Sequence, residues 1–65
     1  MQPTAEEIED VVQMCVGCCR GSPNKLLSVA NFLNIMAAPL HWNTESCDQV
    51  GQQALSILYA DDAQQ

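Results

Sequence analysis

The residues of this chain best suited to chemistry are its cysteines and its single histidine. Thiolate and imidazole are ligands that zinc prefers, and the pair Cys15 and Cys18 has the C-x-x-C spacing found in zinc sites and in redox pairs. Cys19 directly follows that pair, and more distant ligands of the same types are available. The residues that could build a structural zinc site or a thiol-dependent module are Cys15, Cys18, Cys19, Cys47 and His41.

The placement of these cysteines favours a different role. Strong zinc motifs usually place two cysteine pairs on turns, whereas this chain has one pair, within a segment of helical periodicity. All four cysteines fall on predicted apolar stripes, where free cysteine behaves as a small buried hydrophobe. Residues three or four apart on an intact helix hold their Cβ atoms roughly 5–6 Å apart, too far for a disulfide. We therefore expect core thiols, with no metal and no cofactor; zinc and redox roles are the alternatives.

No set of residues in the sequence is typical of a catalytic site. A cysteine nucleophile needs a nearby base, and the only histidine, His41, stands beside Trp42 in a predicted turn. The chain has no glycine-rich phosphate loop, no Ser-His-Asp set and no metal-hydrolase motif. Three short helices can scarcely enclose the roughly 300 Å³ or more that a substrate pocket requires. We expect that the protein is not an enzyme.

Three segments carry apolar residues at the 3.6-residue period of a helix, and none alternates as a strand does. The sequence therefore predicts one all-α domain over residues 1–65, a three-helix bundle with helices at about 4–20, 23–37 and 44–60. Thr4 and Glu7 fit a capping box at the start of the first helix. Gly21 is expected to end that helix.

The predicted second helix has unusual features. Ser22 is expected to cap it, with Pro23 as its first residue, and Pro39 is expected to force a turn after Ala37. This helix is apolar around more of its circumference than packing on one side requires. Its predicted buried stripe consists of Leu26, Val29, Ala30, Leu33, Met36 and Ala37, which leaves Leu27, Phe32 and Ile35 outside.

The third helix is expected to begin at Asn43 or Thr44, each of which can serve as its N-cap. Gly51 lies on its apolar stripe, which indicates a close approach between helices because glycine costs about 1 kcal/mol relative to alanine in a helix interior. Asp61 and Asp62 follow the predicted helix closely, where carboxylates are disfavoured. We expect them to end the helix or to face a basic partner.

Composition and charge exclude several classes of function. The chain has 65 residues, 48% of them hydrophobic and 15% charged, and a formal net charge of −6. Such a charge repels nucleic acid and anionic membranes, so neither is an expected partner. The first residues show neither the basic nor the apolar region of a signal peptide, so none is expected, and the longest apolar run, 35–40, is shorter than the roughly 20 residues that span a bilayer. We expect a cytoplasmic protein.

A core of this size supplies only about 3–5 kcal/mol, so completion of the core by a second copy of the chain is a serious alternative. Large apolar groups that three-helix packing need not bury are candidates for contact with a partner. The predicted partner-binding residues are Phe32, Ile35, Leu40, His41, Trp42, Tyr59, Asp61 and Asp62. The structural alternative for Trp42 is that it folds back and caps the end of the bundle.

These observations favour a small acidic regulator or inhibitor that contacts a larger protein with a basic or mixed apolar surface, without catalysis. Self-association is an expected addition. A zinc- or thiol-dependent module and a structural subunit of a larger assembly are the alternatives. Small acidic chains recur among phage and mobile-element products that block host proteins, an analogy of size and charge alone.

Overall fold

The computed structural model describes residues 2–63 and consists of three α-helices in that range. Their bounds are Ala5–Cys19 (α1), Lys25–Leu40 (α2) and Thr44–Ala63 (α3). Each helix packs against both others, most extensively α1 against α3 and least extensively α1 against α2. The predicted all-α three-helix bundle is confirmed. Positions 1, 64 and 65 of the predicted domain lie outside the described residues.

Helix α1 begins as the sequence predicts. The Thr4 hydroxyl oxygen accepts a hydrogen bond from the Glu7 amide at 3.1 Å, and the Thr4 amide donates to the Glu7 carboxylate at 2.9 Å. These reciprocal bonds satisfy amides that would otherwise lack partners at the helix start. Helix α1 ends at Cys19, and Gly21 lies in the following turn without the left-handed backbone that would require a glycine.

The predicted start of α2 at Pro23 is wrong. Asn24 caps this helix, and its side-chain oxygen accepts from the Leu27 amide at 3.1 Å. Ser22 lies before the cap, and its amide donates to the Cys19 carbonyl at 3.0 Å, at the end of α1. The Ser22 hydroxyl accepts from the Asn24 amide at 3.3 Å and is also hydrogen-bonded to the Ser28 hydroxyl.

The predicted end of α2 at residue 37 is also wrong, because the helix continues through Pro39 to Leu40. Proline removes only one hydrogen bond, the one to the carbonyl of Ile35, and both residues lie on the exposed side of α2, where water can replace it. His41 then ends the helix with left-handed geometry (φ 55°) and donates its amide to the Ala37 carbonyl at 3.1 Å.

Helix α3 extends beyond its predicted end at residue 60 and includes both terminal aspartates. Asp61 lies 3.1 Å from the Arg20 guanidinium, and Asp62 lies 3.3 Å from the Lys25 ammonium. These ion pairs offset the unfavourable position of carboxylates at a helix C-terminus. They also tie the last turn of α3 to the connection between α1 and α2.

The core lies mainly between α1 and α3. Val29 is the one fully buried residue of α2, whereas α1 and α3 each bury several apolar side chains. The buried apolar cluster consists of Val11, Val12, Cys15, Val16, Cys19, Val29, Val50, Ala54 and Leu58. Helix α2 therefore covers one side of an α1–α3 pair.

Gly51 allows α2 to approach α3 closely, as its place on the apolar stripe predicts. A Cβ atom at this position would lie 2.9 Å from Leu33 Cδ1 and 3.8 Å from Val29 Cγ1. The first distance is shorter than carbon atoms tolerate, so even a methyl group would displace the end of the Leu33 side chain. The absent side chain of Gly51 thus sets the spacing of the two helices.

We predict that Gly51→Leu lowers the free energy of unfolding by about 1–3 kcal/mol, because the added carbons must push α2 away from α3. Gly17→Ala is the matched control, since nothing lies within 4 Å of the added Cβ. This control should instead stabilise the protein by about 0.5–1 kcal/mol through helix propensity. Urea unfolding followed by circular dichroism measures both, and a Gly51→Leu variant as stable as the wild type would contradict the close contact.

Candidate functional site

Helix α2 is the most apolar of the three helices and buries the least of its surface. Leu26, Leu27 and Ile35 are 60%, 56% and 73% exposed. The prediction that Leu26, Ala30 and Ala37 belong to the core is wrong, because all three are exposed. These large exposed apolar side chains make α2 the candidate interaction surface of the bundle.

The surface of α2 also lacks charge. From Leu26 to Trp42 the sequence contains no aspartate, glutamate, lysine or arginine. Helix α1 by contrast exposes Glu6, Glu9 and Asp10 along its length. A neutral, apolar helix therefore forms one side of a bundle whose other surfaces carry the acids.

A groove runs between α2 and α3, which we call the α2/α3 groove. It consists of two adjoining depressions of about 220 and 380 Å³, which share Ala30, Leu33 and Asp48 in their walls. Small residues on both helices keep the groove open, and Trp42 lies at one end. Further lining residues are Leu26 and Ala37 from α2, and Cys47, Gly51, Gln52 and Leu55 from α3.

Asp48 is the one charged residue that lines the α2/α3 groove. Arg20 and Lys25 are the only arginine and lysine of the chain. Within the described part of the chain, Arg20 is ion-paired with Asp61 and Lys25 with Asp62. Asp48 is exposed and has no lysine or arginine partner in that part. An uncompensated carboxylate thus lies beside apolar walls, where a cationic group of a ligand would pair with it.

The structure divides the predicted partner-binding residues among different environments. Phe32, Leu40 and Trp42 are half-buried and pack against the core, so Trp42 covers the end of the bundle. The exposed members are Ile35, His41 and Tyr59, and the ion-paired members are Asp61 and Asp62. These eight residues do not form one continuous surface.

Tyr59 and Ile35 flank different sides of α2. Tyr59 follows Leu55 by four residues on α3, which places it one turn beyond Leu55 on the same side of that helix and so extends the groove. Ile35 follows Leu33 by two residues, which places it about 160° around α2 from Leu33. It therefore points away from the groove. Each therefore contributes to a separate surface.

The cysteines occupy three kinds of environment. Cys15 and Cys19 are buried, as predicted, whereas Cys18 is exposed and Cys47 is half-buried beside the groove. The prediction that Cys18 is a core residue is wrong, because Cys18 lies about 90° around α1 from the centre of the buried arc, at 100° per residue. Within residues 2–63, no three His, Cys, Asp or Glu side chains come together as a metal site would require.

The pKa of the Cys15 thiol is raised to about 12, mainly by burial and to a smaller extent by charge repulsion from Cys19, a hydrogen bond with the Cys19 side chain and charge repulsion from Cys18. A thiol with this pKa remains protonated at neutral pH. Since the thiolate is the reactive form, Cys15 is a poor nucleophile and a poor metal ligand in the folded protein. Its role is to fill space in the core.

Sequence reasoning missed Leu26 and Asp48 as members of a site. Leu26 fits the apolar stripe of α2 as well as Val29 does, and no pattern within an all-round apolar helix shows which arc faces the core. Asp48 has a sufficient local explanation near the start of α3, where the helix dipole favours an acid. Only the packing of α2 on α3 brings the two residues to one groove.

We predict that alkylation by iodoacetamide at pH 8 modifies Cys18 first, because Cys15 and Cys19 are buried.

The stability of the protein should fall as pH rises above about 9, because the unfolded chain then releases a proton that folded Cys15 retains. The slope for one such thiol is at most about 1.4 kcal/mol per pH unit. Peptide mass spectrometry and urea unfolding measure the two effects.

The Cys15→Ala variant is the control for this pH dependence. Its loss of stability between pH 9 and 11 should be shallower than that of the wild type, because the variant lacks the thiol that the folded chain keeps protonated. Equal slopes, or modification of Cys15 before Cys18, would contradict the burial of this thiol.

Comparisons with protein-family models, with curated proteins and with solved structures found no match to this chain. The residues described here also include no helix with both the length and the apolar character that crossing a bilayer requires.

Proposed function

We propose that this protein is a small acidic regulator or inhibitor that binds another protein through the α2/α3 groove, without catalysis. The observation that carries the proposal is that α2 leaves most of its apolar surface uncovered, with Val29 its only buried residue. An apolar helix that a small bundle does not bury is costly to expose unless a partner covers it.

The shape of the groove supports an elongated ligand. Leu26, Leu33 and Leu55 supply apolar wall surface, and the small residue Ala30 leaves room between them. Grooves of this kind between helices accept the apolar face of an amphipathic helix or an extended apolar segment. Trp42 offers aromatic surface at one end, a residue type enriched among those that dominate binding energy.

The charge of the chain supports a basic partner. Because both cations are paired with Asp61 and Asp62, the net charge of −6 is carried by the remaining acids, including Asp48 in the groove. A lysine or arginine of the partner opposite Asp48 would fix its orientation, and the overall charge would speed encounter at low ionic strength. The same charge disfavours nucleic acid and anionic membranes as partners.

We also propose a cytoplasmic location. Cys15, Cys18 and Cys19 lie in one intact helix, whose spacing disfavours local disulfides, and this arrangement suits a reducing compartment. A binding module with free thiols would keep its fold there without oxidation of exposed Cys18.

To test the function, the wild-type chain is used to isolate its partner from the native host by affinity capture, and the dissociation constant is then measured by calorimetry. We predict that Leu26→Gln weakens binding about tenfold or more, because it removes an exposed apolar contact in the groove. Asp48→Asn should weaken binding about threefold to tenfold and reduce its salt dependence.

Matched control variants lie on α1. Met14→Gln removes an apolar side chain that is 50% exposed, and Asp10→Asn removes one exposed acid, both away from the groove. These controls should alter the dissociation constant less than about twofold, the usual range for residues outside an interface. Equal losses in the groove variants and the controls would refute the groove as the binding site, as would capture that is unchanged with the Leu26→Gln bait.

A further inference from the structure

The two adjoining depressions of the α2/α3 groove differ in chemistry. We call them the Leu55 depression and the Trp42 depression, each after a residue that lines only that one. The Leu55 depression, of about 220 Å³, is apolar apart from Asp48 and Gln52. The Trp42 depression, of about 380 Å³, is larger and more polar. Its polar and aromatic wall residues are Asn34, Trp42, Thr44, Cys47 and Asp48.

The Trp42 depression offers a cation both negative charge and an aromatic surface. Asp48 supplies a carboxylate that no lysine or arginine between residues 2 and 63 neutralises. Asn34 and Thr44 add a side-chain carbonyl and a hydroxyl oxygen, which can accept hydrogen bonds. The indole of tryptophan attracts cations more strongly than the other aromatic rings do. A positively charged side chain is therefore the group that these walls fit best.

A second acid adds to the negative potential beside the Trp42 depression. Glu45 is exposed and precedes Asp48 by three residues, so the two carboxylates lie on the same side of α3. The N-terminus of α3 contributes only about half a positive charge, so the sum stays negative. A cation bound here would relieve the repulsion between the two acids.

The chemistry of the walls favours arginine over lysine. A guanidinium is planar, so it can stack on an indole while two of its N–H groups donate to one carboxylate. It is also more weakly hydrated than an ammonium group, so it loses less on entering a partly apolar depression. Leu33 and Ala37 line the same depression and offer apolar surface to the methylene groups of the side chain.

The two depressions lie one helical turn apart along α2. The α2 residues that line the Leu55 depression are Leu26, Val29, Ala30 and Leu33. Advancing each of them by four positions gives the α2 residues that line the Trp42 depression, which are Ala30, Leu33, Asn34 and Ala37. A shift of four residues is about 6 Å at 1.5 Å per residue. On a ligand helix that lies along the groove, side chains four residues apart span the same distance on one face.

A helix suits this groove better than an extended segment does. The walls are α2 and α3, whose backbone groups are hydrogen-bonded within each helix. An extended ligand would find no strand edge there to pair with, and it would bury backbone groups of its own without partners. A helical ligand satisfies its backbone internally and presents only side chains to the groove.

We propose that the Trp42 depression binds an arginine side chain of the partner protein. An amphipathic helix of the partner presents this arginine, and a large apolar residue four positions away on the same helix fills the Leu55 depression. Asp48 lines both depressions and so holds the arginine beside the apolar contact. The proposal rests on the proposed function, in which the groove binds a protein, and adds the residue pattern that the groove selects.

A display library of randomised helical peptides, selected on the reduced wild-type chain, tests this pattern. We expect the selected peptides to carry an arginine four residues from a leucine, methionine or phenylalanine, in either order. The same selection on Asp48→Asn should lose the preference for arginine and keep the preference for the apolar residue. Selection on Asp10→Asn, an exposed acid of α1 away from the groove, should match the wild type.

A double-mutant cycle with one selected peptide measures the contact by calorimetry. Replacing its arginine by citrulline removes the charge and keeps the shape, and should weaken binding to the wild type about threefold to tenfold. The same replacement should change binding to Asp48→Asn less than about twofold, because the paired carboxylate is absent.

The role of the indole is measured with lysine. Replacing the arginine of the peptide by lysine should weaken binding to the wild type about threefold, and Trp42→Leu should abolish that difference. Circular dichroism checks that Trp42→Leu folds, since this side chain also packs against the core. The cycle with Asp48→Asn does not depend on that variant.

The thiol of Cys47 reports where the peptide binds. Cys47 is half-buried and lines the Trp42 depression, whereas Cys18 is exposed on α1. At a peptide concentration ten times the dissociation constant, alkylation of Cys47 by iodoacetamide should slow about tenfold, because only the free chain reacts. The rate at Cys18 should stay unchanged.

Several outcomes would overturn the proposal: no selected peptide, selected peptides without arginine at this spacing, equal effects of citrulline on the wild type and Asp48→Asn, or an unprotected Cys47. If one of them occurs while Leu26→Gln still weakens partner binding, the proposed function stands and the arginine pattern alone fails. Partner and peptide binding that are both insensitive to Leu26→Gln would remove the groove as the site, and both proposals with it.

Discussion

The packing of α1 against α3 is the interaction on which the rest of the molecule depends. Val12, Cys15 and Leu58 are fully buried between them, and most of the core belongs to these two helices. With only Val29 buried, α2 cannot hold a core by itself. The apolar groups that α2 exposes are therefore not needed to hold α1 and α3 together, and they are available for contacts outside the chain.

The sequence was sufficient for the fold because local signals and hydrophobic period agree in α1 and α3. The capping box at Thr4 and the buried Val12 and Cys15 follow directly from residue type and spacing. The errors arose where tertiary contacts override local preference. Asp61 lies within α3 and pairs with Arg20, a contact that no pattern within residues 44–63 indicates. Pro39 is accommodated because exposure lets water replace a lost bond.

The site was less accessible to sequence reasoning than the fold. Because α2 is apolar around its whole circumference, its sequence does not show which side faces α3. Leu26 therefore could not be distinguished from Leu27 until the structure placed α3 beside Leu26. The sequence did show that α2 has more apolar surface than one packed side can use. Which arc of that surface borders the groove follows from the close approach of α2 to α3 at Leu33 and Gly51.

The ion pairs at the end of α3 affect how the chain meets proteases. Trypsin cleaves after lysine and arginine, and this sequence offers it only the bonds after Arg20 and Lys25, both beside the connection from α1 to α2. Each of these side chains is held by an aspartate in the last turn of α3. Cleavage after either residue therefore requires its ion pair to open, so the rate of nicking reports how often the connection is released from the last turn of α3.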